Sequence, residues 1–137
     1  MEPDDIREVL GGSRILVVDD DSRNLFAVTS FLERYGVEIV PARSGREAIE
    51  VFRRDEDIDL VLMDIMMPEM DGYRTTQAIR RMPERAGIPI VALTAKAMPG
   101  DREKTLEAGC DDFVPKPVEG PRLLSTLRRL LIAARKR

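Results

Sequence analysis

Five polar residues stand where apolar runs end. Asp19 and Asp20 follow Ile15-Leu-Val-Val18, Asp64 follows Leu60-Val-Leu-Met63, Thr94 follows Ile90-Val-Ala-Leu93, and Lys116 lies just beyond Phe113-Val-Pro115. Three carboxylates gathered in one crevice repel one another and need a cation. An all-oxygen donor set with open positions suits Mg2+, which keeps several waters and often touches a phosphate as well. An ammonium from Lys116 and a hydroxyl from Thr94 would then hold phosphoryl oxygens whose negative charge is spread in the transition state. One of the carboxylates can itself be the nucleophile, giving an aspartyl phosphate.

Taken singly, these residues have ordinary explanations. Asp19-Asp20-Asp21 before Ser22 would serve as a helix cap, and Thr94 as a strand-end or cap hydroxyl. Lys116 alone would be a solvated cation, although Pro115 and Pro117 on either side restrict its backbone and give it a direction. Asp64 is harder to explain away, because it ends a wholly apolar run where an unpaired charge is expensive. Met63, Met66, Met67 and Met70 read as core and loop filler, since no thiolate or imidazole accompanies them to hold a soft metal.

For these residues to act together, the segments that carry them must end at one place. Short apolar runs at Ile15–Val18, Val37–Val40, Leu60–Met63, Ile88–Leu93 and Phe113–Val114 alternate with stretches of helical period. Leu25, Val28, Leu32 and Tyr35 recur at helical spacing before Gly36. Ser44-Gly-Arg-Glu47 fits a capping box that opens a second helix with Ala48, Ile49 and Phe52 on its apolar side. A third helix is predicted from Tyr73 to Arg81, a fourth from Gly100 to Ala108, and a fifth from Pro121 with Leu123, Leu127, Leu130 and Leu131 on one face. Strands too apolar to face water on either side predict a parallel sheet covered by helices on both faces, a doubly wound α/β fold. In such a sheet, ligands bind outside the carboxyl ends of the strands, where the five polar residues would meet. Residues 1–13, with Gly11-Gly12, read as a lead-in or linker, and residues 14–137 as one domain. The glycine pair precedes the first strand, so it is neither a dinucleotide-binding turn nor a P-loop.

Composition narrows the function classes. The chain has 137 residues, 43% hydrophobic and 34% charged, with a net charge of -3, so it is expected to form one domain. Its basic residues are scattered apart from Arg128-Arg129 and Arg135-Lys136-Arg137, which argues against a nucleic-acid partner. Cys110 is the single cysteine, which excludes an internal disulfide, and the absence of histidine leaves nothing to activate it. That absence also excludes a Ser-His-Asp triad and any phosphohistidine on this chain. No apolar stretch approaches the roughly 20 residues of a membrane helix, and the acidic start is unlike a signal peptide, so no membrane association and a cytoplasmic location are expected.

The segments Leu16-Val-Val-Asp-Asp-Asp21, Leu62-Met-Asp-Ile-Met-Met-Pro-Glu-Met-Asp-Gly72, Ala92-Leu-Thr-Ala95 and Phe113-Val-Pro-Lys-Pro117 resemble the motifs of receiver domains in two-component response regulators. The resemblance runs over about residues 13–135. It implies a flavodoxin-like, five-stranded sheet of order 2-1-3-4-5 with five helices, an order of which a receiver is already a familiar example. It also implies that Asp64 accepts a phosphoryl group from a phosphohistidine on a sensor histidine kinase or histidine phosphotransfer protein. Asp20, Asp64 and the backbone carbonyl of Met66 would bind Mg2+, with Asp19 joining through water. Lys116 would pair with phosphoryl oxygens, Thr94 would hydrogen-bond the phosphoryl group, and Phe113 would change rotamer behind it. The Lys116-Pro117 bond resembles the family's cis peptide, and the readout face would lie around residues 98–135. Arg23-Asn-Leu-Phe-Ala-Val-Thr29 and Thr94–Lys104 are most similar to receivers of hybrid sensor kinases. Met66 and Lys96, where family members vary, bear on the lifetime of the phosphate. A monomer and a phosphorylation-dependent dimer are both compatible with this reading, as are a stand-alone receiver and a piece of a longer protein.

Two other classes compete with this reading. An interaction module could keep the fold without being phosphorylated, although the intact acid set and Lys116 argue against it. A Mg2+-dependent phosphohydrolase with an aspartyl intermediate would need a further acid-base group and a covering cap, and the sequence has no insertion large enough.

Overall fold

Each apolar run forms one strand, and the five strands make a single parallel sheet. The computed structural model describes residues 3–95 and 100–136. In chain order the elements are α1 (Pro3–Leu10), β1 (Arg14–Val18), α2 (Ser22–Glu33), β2 (Glu38–Ala42), α3 (Gly45–Arg54), β3 (Leu60–Asp64), α4 (Gly72–Arg80), β4 (Ile90–Thr94), α5 (Asp101–Ala108), β5 (Asp112–Pro115) and α6 (Gly120–Arg135), with a 3-10 turn at Pro83–Arg85 before β4. The strand order is β2-β1-β3-β4-β5, the doubly wound order expected from the sequence. Register places Ile15 beside both Ile39 and Leu60, Asp64 beside Leu93, and Thr94 beside Pro115.

Side chains alternate across a strand, so each strand feeds two cores. Ile15, Val17, Leu60, Leu62, Val91 and Leu93 face α2 and α6 through Leu25, Val28, Leu32, Leu123, Leu127 and Leu131. Leu16, Val18, Val61, Met63, Ile90 and Ala92 face the other way, onto Ala48, Val51, Phe52 and Ile79 of α3 and α4. β1, β3 and β4 are buried on both faces, as their composition requires. The expectation that every strand avoids water fails at the two edges. β2 leaves Glu38 and Pro41 exposed, and β5 is half-buried along most of its length. Pro41 lacks the N–H that a central strand needs, which suits it to an edge.

The helices number six among the described residues, one more than the sequence predicts. The addition is α1, which lies inside the stretch that reads as a lead-in. Ile6 and Leu10 are buried against the same core as α6, with Val9 packed at its border, which is one face of a helix at i, i+3, i+4 spacing. The chain turns sharply after α1: Gly11 N–H donates to the Arg7 carbonyl at 2.8 Å and Gly12 N–H to the Gly36 carbonyl at 2.9 Å. At the far end of the chain, Arg135 Nη2 donates to Ser13 Oγ at 3.1 Å, tying α6 to the same turn. At α3, Ser44 caps as expected, its hydroxyl accepting from Glu47 N–H at 3.1 Å. Glu47 reaches back to the amide of Arg43, one residue earlier than a capping box prescribes.

Candidate functional site

β1 and β3 are neighbours, so their carboxyl ends open onto one crevice, with β4 and β5 supplying its other wall. Carboxylate oxygens of Asp19, Asp20 and Asp64 lie within 4.8 Å of one another. Asp19 and Asp64 are buried, at 1% and 2% exposure, while Asp20 reaches solvent. Lys116, on the segment after β5, brings Nζ to 3.0 Å from Asp64 Oδ1 and 3.7 Å from Asp19 Oδ2. Asp64 Oδ1 also accepts from the Met66 amide at 3.2 Å, which orients the carboxylate. Thr94 ends β4, buried, and its carbonyl accepts from the Lys116 amide at 2.8 Å. The backbone thus couples the hydroxyl-bearing residue to the ammonium-bearing one. Phe113 lies opposite Ala92 in the register, half-buried, with the Arg122 guanidinium 5.8 Å from its ring centroid. The Lys116-Pro117 peptide is cis. Lys96 lies outside the described residues.

The aspartate run divides its labour. Asp21 is the helix cap: its Oδ1 accepts from the amides of Arg23 at 2.8 Å and Asn24 at 3.4 Å, opening α2. Asp19 and Asp20 are therefore left for the crevice. Asp19 Oδ1 accepts from the Asp21 amide at 2.9 Å, but its Oδ2 is buried without a hydrogen bond. Burial pushes the Asp19 carboxyl up to about 6, and the neighbouring Asp64 charge adds to this, while the Asp21 amide and Lys116 oppose it. Three carboxylates against one ammonium, with one buried oxygen lacking a partner, fit a hard divalent cation held by oxygen ligands.

The loop behind Asp64 is packed tightly. Gly72 opens α4 so close to the end of β3 that a Cβ there would stand 2.4 Å from the Asp64 carbonyl oxygen. Its amide donates to the Ile65 carbonyl at 3.1 Å. Glu69, in the same loop, adopts a φ of 64°, the left-handed region that a non-glycine residue rarely enters. Sequence reasoning singles out neither these contacts nor Phe26, which stands 74% exposed on the first turns of α2 just after the acid turn. An aromatic residue outside the apolar stripe Leu25, Val28, Leu32 is the available signal. Met66, 54% exposed, is a second large apolar side chain close to Asp64 in sequence.

Comparison with known proteins gives this geometry a family. The model of the response regulator receiver domain matches residues 15–128. The chain belongs to the response-regulator receiver domain family. This receiver is 35% identical over 117 residues to the polar-differentiation response regulator DivK of Brucella ovis, covering 85% of this chain and 94% of that protein. It is 43% identical over 108 residues to the sensor protein GacS of Pseudomonas syringae pv. syringae, covering 77% of this chain and 12% of that much longer protein. Among solved structures it superposes on the receiver domain of the sensor histidine kinase PA1611 from Pseudomonas aeruginosa PAO1. That match has a TM-score of 0.81 and 35% identity and covers 88% of this chain and 98% of the other. The PA1611 structure has a magnesium ion coordinated in its active-site cleft. The resemblance to receivers of sensor kinases thus holds for sequence and fold alike. No described helix is long and apolar enough to cross a membrane.

Proposed function

We propose that this receiver is a phosphoacceptor switch that takes a phosphoryl group onto Asp64 from a phosphohistidine on a sensor histidine kinase or histidine phosphotransfer protein. The observation that carries the reading is the convergence of Asp64, Asp19, Asp20 and Lys116 in one crevice, with Asp64 Oδ1 held by Lys116 and by the Met66 amide. An Asp64 carboxylate oxygen attacks phosphorus, the P–N bond to the partner's imidazole breaks, and the electron pair leaves on that nitrogen, which takes up a proton. Asp19, Asp20, Asp64 and the Met66 carbonyl would hold Mg2+, which supplies charge neutralisation for the phosphoryl oxygens. Lys116 lies where it can move from Asp64 Oδ1 to a phosphoryl oxygen, keeping an ion pair throughout. Thr94 donates its hydroxyl to the phosphoryl group, and Phe113 repacks in response. A local change of charge then biases two packings of the β4–β5 end of the sheet.

In this reading residues 14–137 carry the receiver proper, residues 1–13 are an appended segment whose helix α1 packs on it, and the domain works in the cytoplasm. Met66 offers no polar side chain to orient a hydrolytic water, so an exceptionally short-lived phosphate is not expected. Incubation with acetyl phosphate and Mg2+, read by intact mass, tests the reading. One added phosphoryl group is expected, abolished by Asp64→Asn and by chelator. A folded protein that takes no label from acetyl phosphate or from a phosphorylated histidine partner would instead support a silent interaction module.

A further inference from the structure

We infer that Gly45, on a helix that supplies no residue to the crevice, is a positioning residue for the acceptor loop; this rests on the phosphoacceptor reading of Asp64. Gly45 is the first residue of α3 and is buried. Its φ lies outside the left-handed region, so backbone freedom does not call for glycine there, and alanine is the better helix former. Space is the remaining reason. A Cβ at this position would stand 2.3 Å from Thr75 Oγ1, 3.0 Å from Met70 Cγ and 3.1 Å from the Met70 carbonyl oxygen.

These three atoms belong to the unit that carries the acceptor. Met70 lies in the loop that follows Asp64, and Thr75 lies on the first turns of α4. Thr75 Oγ1 cannot move away cheaply, because it donates to the Asp71 carbonyl at 2.9 Å and the residue is fully buried. Gly72, between them, packs against the Asp64 carbonyl oxygen, and its amide holds the Ile65 carbonyl. The contacts therefore run in series from α3 through Thr75 and Met70 to Gly72 and the backbone of Asp64. A methyl group at residue 45 has two outlets: to break the Thr75 bond, or to push the loop and α4 away from α3. The first is opposed, because it would leave a buried hydroxyl without its partner, so the strain goes into the second, which displaces the backbone that aims the Asp64 carboxylate and carries the Met66 carbonyl. Small displacements of this kind are costly to a reaction that depends on alignment.

The test compares Gly45→Ala, Thr75→Ala and the double variant. Gly45→Ala should lower the rate of labelling by acetyl phosphate by about tenfold or more and weaken Mg2+ binding measured by calorimetry. Adding Thr75→Ala removes the closest clash and should restore most of both, while Thr75→Ala alone stays near wild type. In metal-free protein, the amide resonances of Asp64, Ile65 and Met66 should shift in Gly45→Ala and return in the double variant. That readout requires neither metal nor phosphoryl donor. A wild type that takes no label from acetyl phosphate or from a phosphorylated histidine partner would therefore sink the acceptor reading, while the resonances still decide the positioning. If Gly45→Ala does not fold, a folded double variant with wild-type Mg2+ affinity supports the contact. A folded double variant with weakened Mg2+ affinity overturns the inference. So does a folded Gly45→Ala with unchanged rate, affinity and resonances, which would reduce Gly45 to helix packing.

Discussion

Lys116 Nζ sits 3.0 Å from Asp64 Oδ1, and this pair is the only ion pair that Asp64 makes among the described residues. A cation on a segment following one strand is thus held against the carboxylate that ends another, 52 residues earlier in the chain. If the ammonium meets the phosphoryl oxygens as they arrive, its loss should act on the reaction more than on the fold. Lys116→Met should lower the rate of labelling by acetyl phosphate about a hundredfold, in line with the removal of one preorganised electrostatic donor. Stopped-flow or quench measurements at saturating Mg2+ would check this, with thermal unfolding to show that the variant remains folded. A rate within a fewfold of wild type would assign Lys116 to holding the resting crevice together.

The orphaned oxygen of Asp19 gives a prediction about pH. In the metal-free fold the Asp19 carboxyl is raised by burial to about 6, above its ordinary 3.8, so the folded state holds the proton more tightly than the unfolded one. Charging Asp19 therefore costs the folded state stability, beginning near pH 4 and complete above about pH 6. A shift of this size corresponds to at most about 3 kcal/mol. Asp19→Asn, in chelator, should accordingly gain stability over wild type as pH rises through that window, with a constant difference above it. Urea unfolding of both proteins at pH 4 and pH 7 measures the difference directly. Addition of Mg2+ should stabilise wild type and narrow the gap, because a cation favours the charged carboxylate.

Much of this is legible in the sequence because each signal rests on a strong local rule. Wholly apolar runs such as Leu60–Met63 have few alternatives to a buried parallel strand, and a charge at the end of one needs a reason to be there. Asp64 stands out that way; Thr94 and Lys116 gain weight only from their place at the ends of other runs, and the structure brings these two together through a backbone hydrogen bond. The acid run is ambiguous, since capping and metal binding use the same residue type, and only the side-chain directions of Asp19 and Asp21 separate the two roles. Contacts that depend on an absent side chain, at Gly45 and Gly72, leave no pattern along the chain. α1 escapes sequence reasoning for a related cause: its apolar face comprises only Ile6, Val9 and Leu10, and the following Gly11-Gly12 reads as a linker. What makes it a helix is tertiary, the α6 surface it covers.

That account of α1 can be tested by stability. Leu10 is fully buried against the α6 side of the core, with Ile6 one turn earlier. If α1 is part of the folded unit, Leu10→Ala leaves a cavity and should cost about 2–5 kcal/mol. The denaturant midpoint should fall while the slope stays unchanged, since the whole domain would still unfold as one unit. A loss below about 0.5 kcal/mol, the size expected of an ordinary surface substitution, would mean that α1 is a detachable arm.

Phe26 offers a way to separate the chemistry from the encounter with a donor. Its ring is 74% exposed on α2, and Met66 is 54% exposed on the loop after Asp64. α2 starts directly after the acid turn and Met66 is two residues past Asp64, so both residues lie on segments that leave the carboxyl end of the sheet, the end that a macromolecular donor would have to approach. Exposed large apolar groups beside a reaction site mark a surface that a partner covers, and an aromatic anchor is the residue type whose truncation costs most. Acetyl phosphate is too small to need such an anchor. Phe26→Ala should therefore leave labelling by acetyl phosphate unchanged, while slowing transfer from a phosphorylated histidine protein by about tenfold, equivalent to roughly 1.4 kcal/mol. Side-by-side time courses with the two donors would read the split. Equal slowing with both would place Phe26 in the folding of the acid turn, and no slowing with either would move the donor's footprint elsewhere on the crevice rim.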